Sequence, residues 1–436
     1  MKLTFFGAAS EVGRSCIMLE GADTKILLDT GVKLGSTVEY PKINDDELRD
    51  VDAIVISHAH LDHSGYLAHI YSTDFQGMVY ATKPTIELAN VLVNDYLKIS
   101  NPANVTKDWL HRIQKAFRII DYHKEFKIKG LTVRLVPAGH ILGSAMIEAY
   151  DGRNRLLYTG DLNLRSTKLL EPAEDRDFKV DTLITESTYA GDKDAFPTEK
   201  KVMDDMVTSI NDTIKRGGKV VIPSFGVGRA QEVMLLLDDY MKSGRLEHVP
   251  IYMDGMIGKA MRIHRHNVIY CRDELQKRIL MNDDDPFKST NFKTVRTKSE
   301  RSHIMGDDQS SIIVTTGGMM TGGPIVKYME RMGRDEMNKL ILVGYQAAGT
   351  PGRAILEGAK EVMIADRRVT VGMQVERYHL SAHADRQQLA TFIAHMHLLR
   401  NIYIVHGEKS KSMEFNNYLK KKYNSNVPEI GSTYTI

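Results

Sequence analysis

Three imidazoles and a carboxylate fall within six residues of Ser57-His58-Ala59-His60-Leu61-Asp62-His63-Ser64-Gly65. Histidine nitrogen and carboxylate oxygen are the donors a borderline divalent cation such as zinc prefers. In an extended segment His58 and His60 point the same way, while Asp62 and His63 can turn toward a second centre. One short loop thus offers half of a two-metal site. Further ligands must come from elsewhere, and three residues share the right context: each closes an apolar run and borders glycine. They are His140 in Leu135-Val136-Pro137-Ala138-Gly139-His140, Asp161 in Leu157-Tyr158-Thr159-Gly160-Asp161, and His406 in Ile402-Tyr403-Ile404-Val405-His406-Gly407. Alone, each reads as a polar cap on a strand; as a set they complete the opening loop.

The elements that must position these residues alternate in style along the chain. Leu3–Gly7, Lys25–Gly31, Ala53–Ser57, Met78–Thr82, Phe126–Pro137, Ala145–Asp161 (folded about Tyr150-Asp151-Gly152-Arg153) and Val180–Thr185 read as strands, with helices at Ser64–Tyr71 and Thr85–Lys98. Near residue 195 the pattern becomes alternating βα. Thr198 is placed to cap a helix with Val202, Met206, Ile210 and Ile214 on one face, stopped by Gly217-Gly218. Strands follow at Lys219–Pro223, Pro250–Met253, Ser311–Thr315 and Lys339–Gly344, implying a mainly parallel sheet. The last stretch, with a strand at Leu398–Val405, a final helix and a Tyr434–Ile436 tail, returns to the first style. The expected domains are 1–191, an insert at 192–378, and 379–436 completing the first.

With 436 residues, 42% hydrophobic and 26% charged, the composition is globular, and no apolar run approaches the eighteen or so residues of a membrane span. Cys16 and Cys271 exclude a disulfide framework and point to a reducing cytoplasm. The net charge of +2 gives no global pull on a polyanion, so any attraction must be local. The N-terminus reads as a first strand rather than a signal peptide.

The ordered set Asp29, His58-x-His60-x-Asp62-His63, His140, Asp161 resembles the metallo-β-lactamase superfamily. Glu186, His383 and His406 match the three extra motifs of its β-CASP nuclease branch. Glu11-Val12-Gly13-Arg14-Ser15-Cys16, Pro223–Glu232 and Thr316-Gly317-Gly318-Met319 resemble the endonuclease subunit of the cleavage and polyadenylation specificity factor and its archaeal and bacterial homologues. The resemblance implies an αββα sandwich with an inserted β-CASP domain, and two Zn²⁺ per chain. His58, His60 and His140 would hold one; Asp62, His63 and His406 the other; Asp161 would bridge them at roughly 3.5–4 Å. A hydroxide between the metals would be the nucleophile, with Asp62 orienting it and Asp29 holding a histidine or the loop. Glu186 would raise the pKa of His383, which would protonate the leaving 3′ oxygen or hold phosphoryl oxygens.

The implied activity is RNA phosphodiester hydrolysis, since histidine rather than valine at position 406 marks RNA-processing members. Endonucleolytic cleavage in RNA 3′-end processing or decay is expected. A 5′→3′ exonuclease is the alternative, disfavoured because the chain lacks the His383-region sequence and C-terminal domain of ribonuclease J relatives. A non-catalytic scaffold fits poorly with every ligand position filled, and a small-molecule metallohydrolase fits poorly with the insert. Because Met1–Gly7 already reads as a strand, the N-terminal RNA-binding domains of some archaeal relatives are not expected here. No membrane partner is expected; a homodimer or an RNA-processing complex has no signature here. Ser224, Arg229, Gly317 and Gly318 border expected helix starts where backbone N–H groups can bind phosphate. The basic run Lys288, Lys293, Arg296, Lys298, Arg301 is either an RNA track or a solvated loop. His264-x-His266 and His395-x-His397 lack acidic companions, the latter on an expected helix, and Trp109 reads as core.

Overall fold

The computed structural model describes all residues except Ser36, Asn101, Ala103 and Lys107. It divides into two compact units. The first comprises Met1–Ser166, Leu170–Ala195 and His383–Ile436, the second Thr167–Leu169 and Phe196–Ala382.

Period-two patterning builds the first unit. In the strand Thr24–Leu28, Ile26 and Leu28 face one core while Leu27 faces another. Two seven-stranded sheets result. The first runs, in spatial order, Thr433–Thr435, Lys2–Phe5, Ile17–Gly21, Thr24–Leu28, Ala53–Val55, Met78–Ala81, Phe117–Ile119; its first four strands are antiparallel and the rest parallel. The second runs Asn424–Asn426, Asn401–Ile404, Thr182–Thr185, Arg155–Tyr158, Ala145–Tyr150, Leu131–Pro137, Glu125–Ile128. Leu3, Phe5, Ile17 and Leu28 of one sheet share a core with Leu135, Ile147, Leu156 and Tyr403 of the other. Helices cover the outer faces: Trp109 and Ile113 pack on the first sheet, Leu389, Phe392 and Phe415 on the second. This is the αββα sandwich.

The second unit has an all-parallel sheet in the order Phe292–Thr294, Ile251–Asp254, Ile312–Thr316, Val220–Ser224, Lys339–Leu342, Gln374–Arg377. Val220, Val221 and Ile222 are all fully buried, as a parallel strand covered on both faces requires. The helix Arg229–Lys242 is buried nearly all round. A ribbon, Glu361–Ile364 with Arg367–Thr370, turns at Ala365-Asp366, both left-handed (φ 45° and 60°).

Several elements differ from expectation. Ser64–Tyr71 is two single turns, Leu61–Ser64 and Leu67–Ile70, split at Gly65. Phe126–Pro137 is a hairpin turning at Lys129-Gly130, with Lys129 at φ 47°. Thr198 occupies the N-cap of Glu199–Lys215 without a side-chain cap hydrogen bond. The basic run is not one loop: it spans a 3-10 turn, the strand Phe292–Thr294 and the helix Lys298–Gly306. His395 caps the end of its helix and His397 lies beyond it. Among the described residues no helix is long and apolar enough to cross a membrane.

Candidate metal centre

The loop after Ala53–Val55 is fixed by Asp29, which sits at the end of a neighbouring strand in left-handed geometry (φ 60°). Its carboxylate accepts from the Ser57 N–H (2.6 Å), the Ser57 hydroxyl (2.7 Å), the Tyr158 hydroxyl (2.8 Å) and His63 Nδ1 (2.7 Å). These contacts set two tautomers. Ser57 has one proton and gives it to Asp29, so at 3.0 Å it accepts from His58 Nδ1–H. His58 Nε2 is left as a bare lone pair. His63, donating from Nδ1, likewise presents Nε2. Gly31 lets the Asp62 carbonyl come close; a Cβ there would collide with it.

Asp161 lies between two histidine sets. Its Oδ2 is 3.5 Å from His58 Nε2 and 3.6 Å from His140 Nε2, and its Oδ1 is 3.3 Å from His63 Nε2 and 2.7 Å from His406 Nδ1. His60 Nδ1 is 3.1 Å from His140 Nε2, and His406 Nε2 is 3.3 Å from Asp62 Oδ2. His58, His60, His140 and Asp161 form one group with metal-binding spacing, and His63, Asp161 and His406 another. His58 Nε2, Asp161 Oδ1 and both His406 nitrogens are buried without a hydrogen bond in acceptable alignment, even where the distance is short. Buried polar atoms left this way carry a large desolvation cost unless something binds them. A nitrogen-and-carboxylate donor set with these orphaned atoms fits divalent cations, and zinc among them.

The electrostatics agree. Burial works against a charge on His406, but Asp161 and Asp62 outweigh it and push its pKa up to about 10. Burial similarly opposes a charge on His63, which Asp161 and Asp29 nonetheless raise. Burial would lift the Asp62 carboxyl, yet the nearby His406 and His63 hold it below the usual range. Burial, reinforced by His63, drives His58 down. The carboxylates thus demand positive charge, from protons or from metal ions that displace them.

Beside this cluster, His383 Nδ1 lies 3.0 Å from both Glu186 oxygens, and its ring is 4.6 Å from that of His140. Burial opposes its charge; Glu186 and Asp161 prevail and raise its pKa. Glu186 also accepts the Leu162 N–H (2.7 Å), so it is anchored next to Asp161.

A clamp with no signature in the sequence joins two residues on one side of the centre, His406 and Asp62. His406 is left-handed (φ 48°), an unfavourable state for a non-glycine residue. Its N–H donates to the Ala8 carbonyl (2.7 Å), and that of Gly407 to the Glu11 carbonyl (3.1 Å). Farther along the same segment, the Ser15 N–H donates to the Asp62 carbonyl (2.8 Å). Arg14 grips Glu11, and Lys33 binds Glu11 (2.7 Å). Tyr158 was also overlooked: its hydroxyl is a polar atom on an otherwise apolar core face, the one signal that could have marked it.

The second-unit candidates look different. Ser224 is buried with its hydroxyl toward the Phe225 carbonyl (3.4 Å), and Arg229 is buried in the first turn of its helix. Gly317 (φ 105°) and Gly318 are sites of close backbone packing: a Cβ on Gly318 would stand 2.9 Å from the Phe225 nitrogen. The structure supplies a packing reason for these glycines. Arg301 is engaged by Asp254 (2.5 and 2.8 Å), so it leaves the basic run. Trp109 is buried, and His264 bonds the Ala260 carbonyl inside its own helix.

Residues 18–188 match the metallo-beta-lactamase superfamily domain, 230–355 the Beta-Casp domain, and 368–428 the Zn-dependent metallo-hydrolase RNA specificity domain. Transcription termination factor FttA of Methanocaldococcus jannaschii is 36% identical over 441 residues, covering 97% of this chain and 69% of that one. The protein of the same name from Methanothermobacter thermautotrophicus is also 36% identical, over 446 residues with the same coverage. A crystal structure of a protein of unknown function from Enterococcus faecalis V583 superposes with a TM-score of 0.60 at 15% identity, spanning 100% of this chain and 99% of that one. That likeness concerns the fold.

Proposed function

This chain belongs to the β-CASP branch of the metallo-β-lactamase superfamily of metal-dependent hydrolases, and from that membership we propose that it is a zinc-dependent endoribonuclease. Two zinc ions would be held by His58, His60 and His140 and by Asp62, His63 and His406, with Asp161 between them. Bound there, divalent cations supply Lewis-acid stabilisation of phosphoryl oxygens and a lowered pKa for attacking water.

The observation that carries the reading is the Glu186–His383 pair beside Asp161. Glu186 fixes the His383 tautomer and favours its protonated form, leaving Nε2–H as a general acid. As the water oxygen bonds to phosphorus and the P–O3′ bond breaks, His383 gives its proton to the 3′ oxygen. The products are a 5′-phosphate and a 3′-hydroxyl. Asp29, Ser57 and Tyr158 hold the ligand rings so that no reorganisation is needed during the reaction.

RNA as substrate is supported by the match of 368–428 to an RNA specificity domain. The relatives' name, transcription termination factor, favours a role in forming RNA 3′ ends. Incubation with 5′-labelled linear RNA and with circular RNA tests the reading. Internal fragments and an opened circle are expected; mononucleotide release with an intact circle would make the enzyme a 5′→3′ exonuclease.

A further inference from the structure

The helix Ile257–His266 contains no acidic residue, and its solvent side is cationic. Lys259, Arg262 and His266 recur at i, i+3 and i+7, so they share one face, spaced about 4.5 and 6 Å along the axis. All three are exposed, and among the described residues none makes a side-chain hydrogen bond or ion pair. The opposite side, Ile257, Ala260, Met261 and His264, is buried. The first turn adjoins the strand Phe292–Thr294: a Cβ on Gly258 would lie 3.5 Å from Thr294 Cγ2. Lys293 of that strand, and Arg296 and Lys298 after it, are exposed too.

Of the acids on the surrounding elements, two are paired with other side chains and a third, Glu300, lies within the basic stretch itself. Asp254 holds Arg301 and the Tyr328 hydroxyl, Asp285 holds Arg265, and Glu300 accepts the Arg296 and Thr297 N–H groups. Glu300 keeps its charge beside Arg296, whereas Lys259, Arg262, Lys293 and Lys298 have no ion pair among the described residues, in a chain whose net charge is only +2.

We propose that this face, Lys259, Arg262 and His266 with Lys293, Arg296 and Lys298, binds the phosphate backbone of single-stranded RNA. The proposal rests on the ribonuclease reading above. Separate, long, flexible cations recognise a chain of phosphates rather than one anion in a pocket, and they position without reading sequence. The only large apolar residue near the exposed side of the helix is the half-buried Ile263, and beyond its end a single exposed isoleucine, Ile269, gives no apolar face of the size a lipid surface requires.

The test is binding of a fluorescent single-stranded RNA to the full chain in chelator, where cleavage is blocked, across a salt series. Reversal in a K259E/R262E/K293E variant is expected to weaken binding at low salt by at least about tenfold and to flatten the log K against log salt slope by about 2, roughly 0.7 per lost phosphate contact. The charge-conserving K259R/R262K/K293R variant should bind like the parent. Unchanged affinity and slope in the reversal variant would overturn the proposal. So would an equal loss on reversing Lys420 and Lys421, which would reduce the effect to net charge. Hydrolysis of RNA with zinc added is measured in parallel. A parent that binds through this face yet cleaves nothing refutes the ribonuclease reading alone; one that cleaves while the reversal leaves binding untouched refutes only the surface.

Discussion

Arg14 closes on Glu11 with two nitrogen–oxygen contacts of 2.5 and 3.2 Å, and the carbonyl of that same Glu11 receives the N–H of Gly407. A charged pair thus sets the shape of the segment that holds His406 in a left-handed state. Both side chains are largely buried (7% and 13% exposed). Arg14→Ala is expected to cost about 3 kcal/mol, as breaking a buried pair does, and to weaken metal binding on the Asp62–His63–His406 side before the other. Urea unfolding and competitive metal titration measure the two effects. Equal weakening of both metals would show that the clamp acts on the whole fold.

Tyr158→Phe removes one donor from Asp29 while preserving the packing. A stability loss of about 1 kcal/mol and a fall in metal affinity of about 10- to 100-fold are expected. Isothermal titration with zinc checks the second figure, and full affinity would exclude the hydroxyl from positioning His63.

Asp62→Asn and His406→Ala each remove a donor from one side of Asp161. Elemental analysis should find about one metal per chain instead of two, with RNA cleavage abolished. Two tightly held metals in either variant would refute the assignment of ligands.

His383→Ala should keep both metals and lose about 10²–10⁴ in kcat. A general acid works while protonated, so the rate falls as pH rises through the raised pKa of His383. Glu186→Gln removes a cause of that rise, and the falling limb of kcat against pH should move to lower pH. A limb that stays in place means His383 does not donate the proton.

In the second unit, burial and the neighbouring Glu232 push the Glu199 pKa up to about 7. The folded state favours the protonated carboxyl, so its contribution is complete below about 4.5, the ordinary value. It is lost as pH rises through about 7. Urea unfolding midpoints of the parent should therefore fall over this window relative to Glu199→Gln. Parallel pH dependence in the two proteins would remove Glu199 from the account.

The residues gathered at the centre were legible because each ends a strand or opens a turn and carries an unmistakable donor. His140, Asp161 and His406 stood out against the apolar runs before them. What escaped was whatever depended on hydrogen bonds rather than donor identity. Tyr158 looks like any core tyrosine until the Asp29 carboxylate is found 2.8 Å away. Ala8 acts through its carbonyl, which has no side-chain signature. The Tyr434 tail became an edge strand only by pairing with Leu3, across nearly the whole chain. Thr167–Leu169 joins the second unit because Glu232, far along the sequence, binds the N–H groups of Lys168 (2.6 Å) and Leu169 (3.2 Å). Local pattern carries no information about such distant partners.

The strand Asn401–Ile404 that delivers His406 follows His58, His60, His63, His140 and Asp161 in order of synthesis by more than two hundred residues. A nascent chain emerging from the ribosome therefore displays His58, His60, His63, His140 and Asp161 long before His406 is made, and under the proposed ligand assignment is expected to leave RNA uncleaved until then. Products of premature stop codons anywhere before that strand are expected to be silent as well, so errors of translation yield no rogue nuclease.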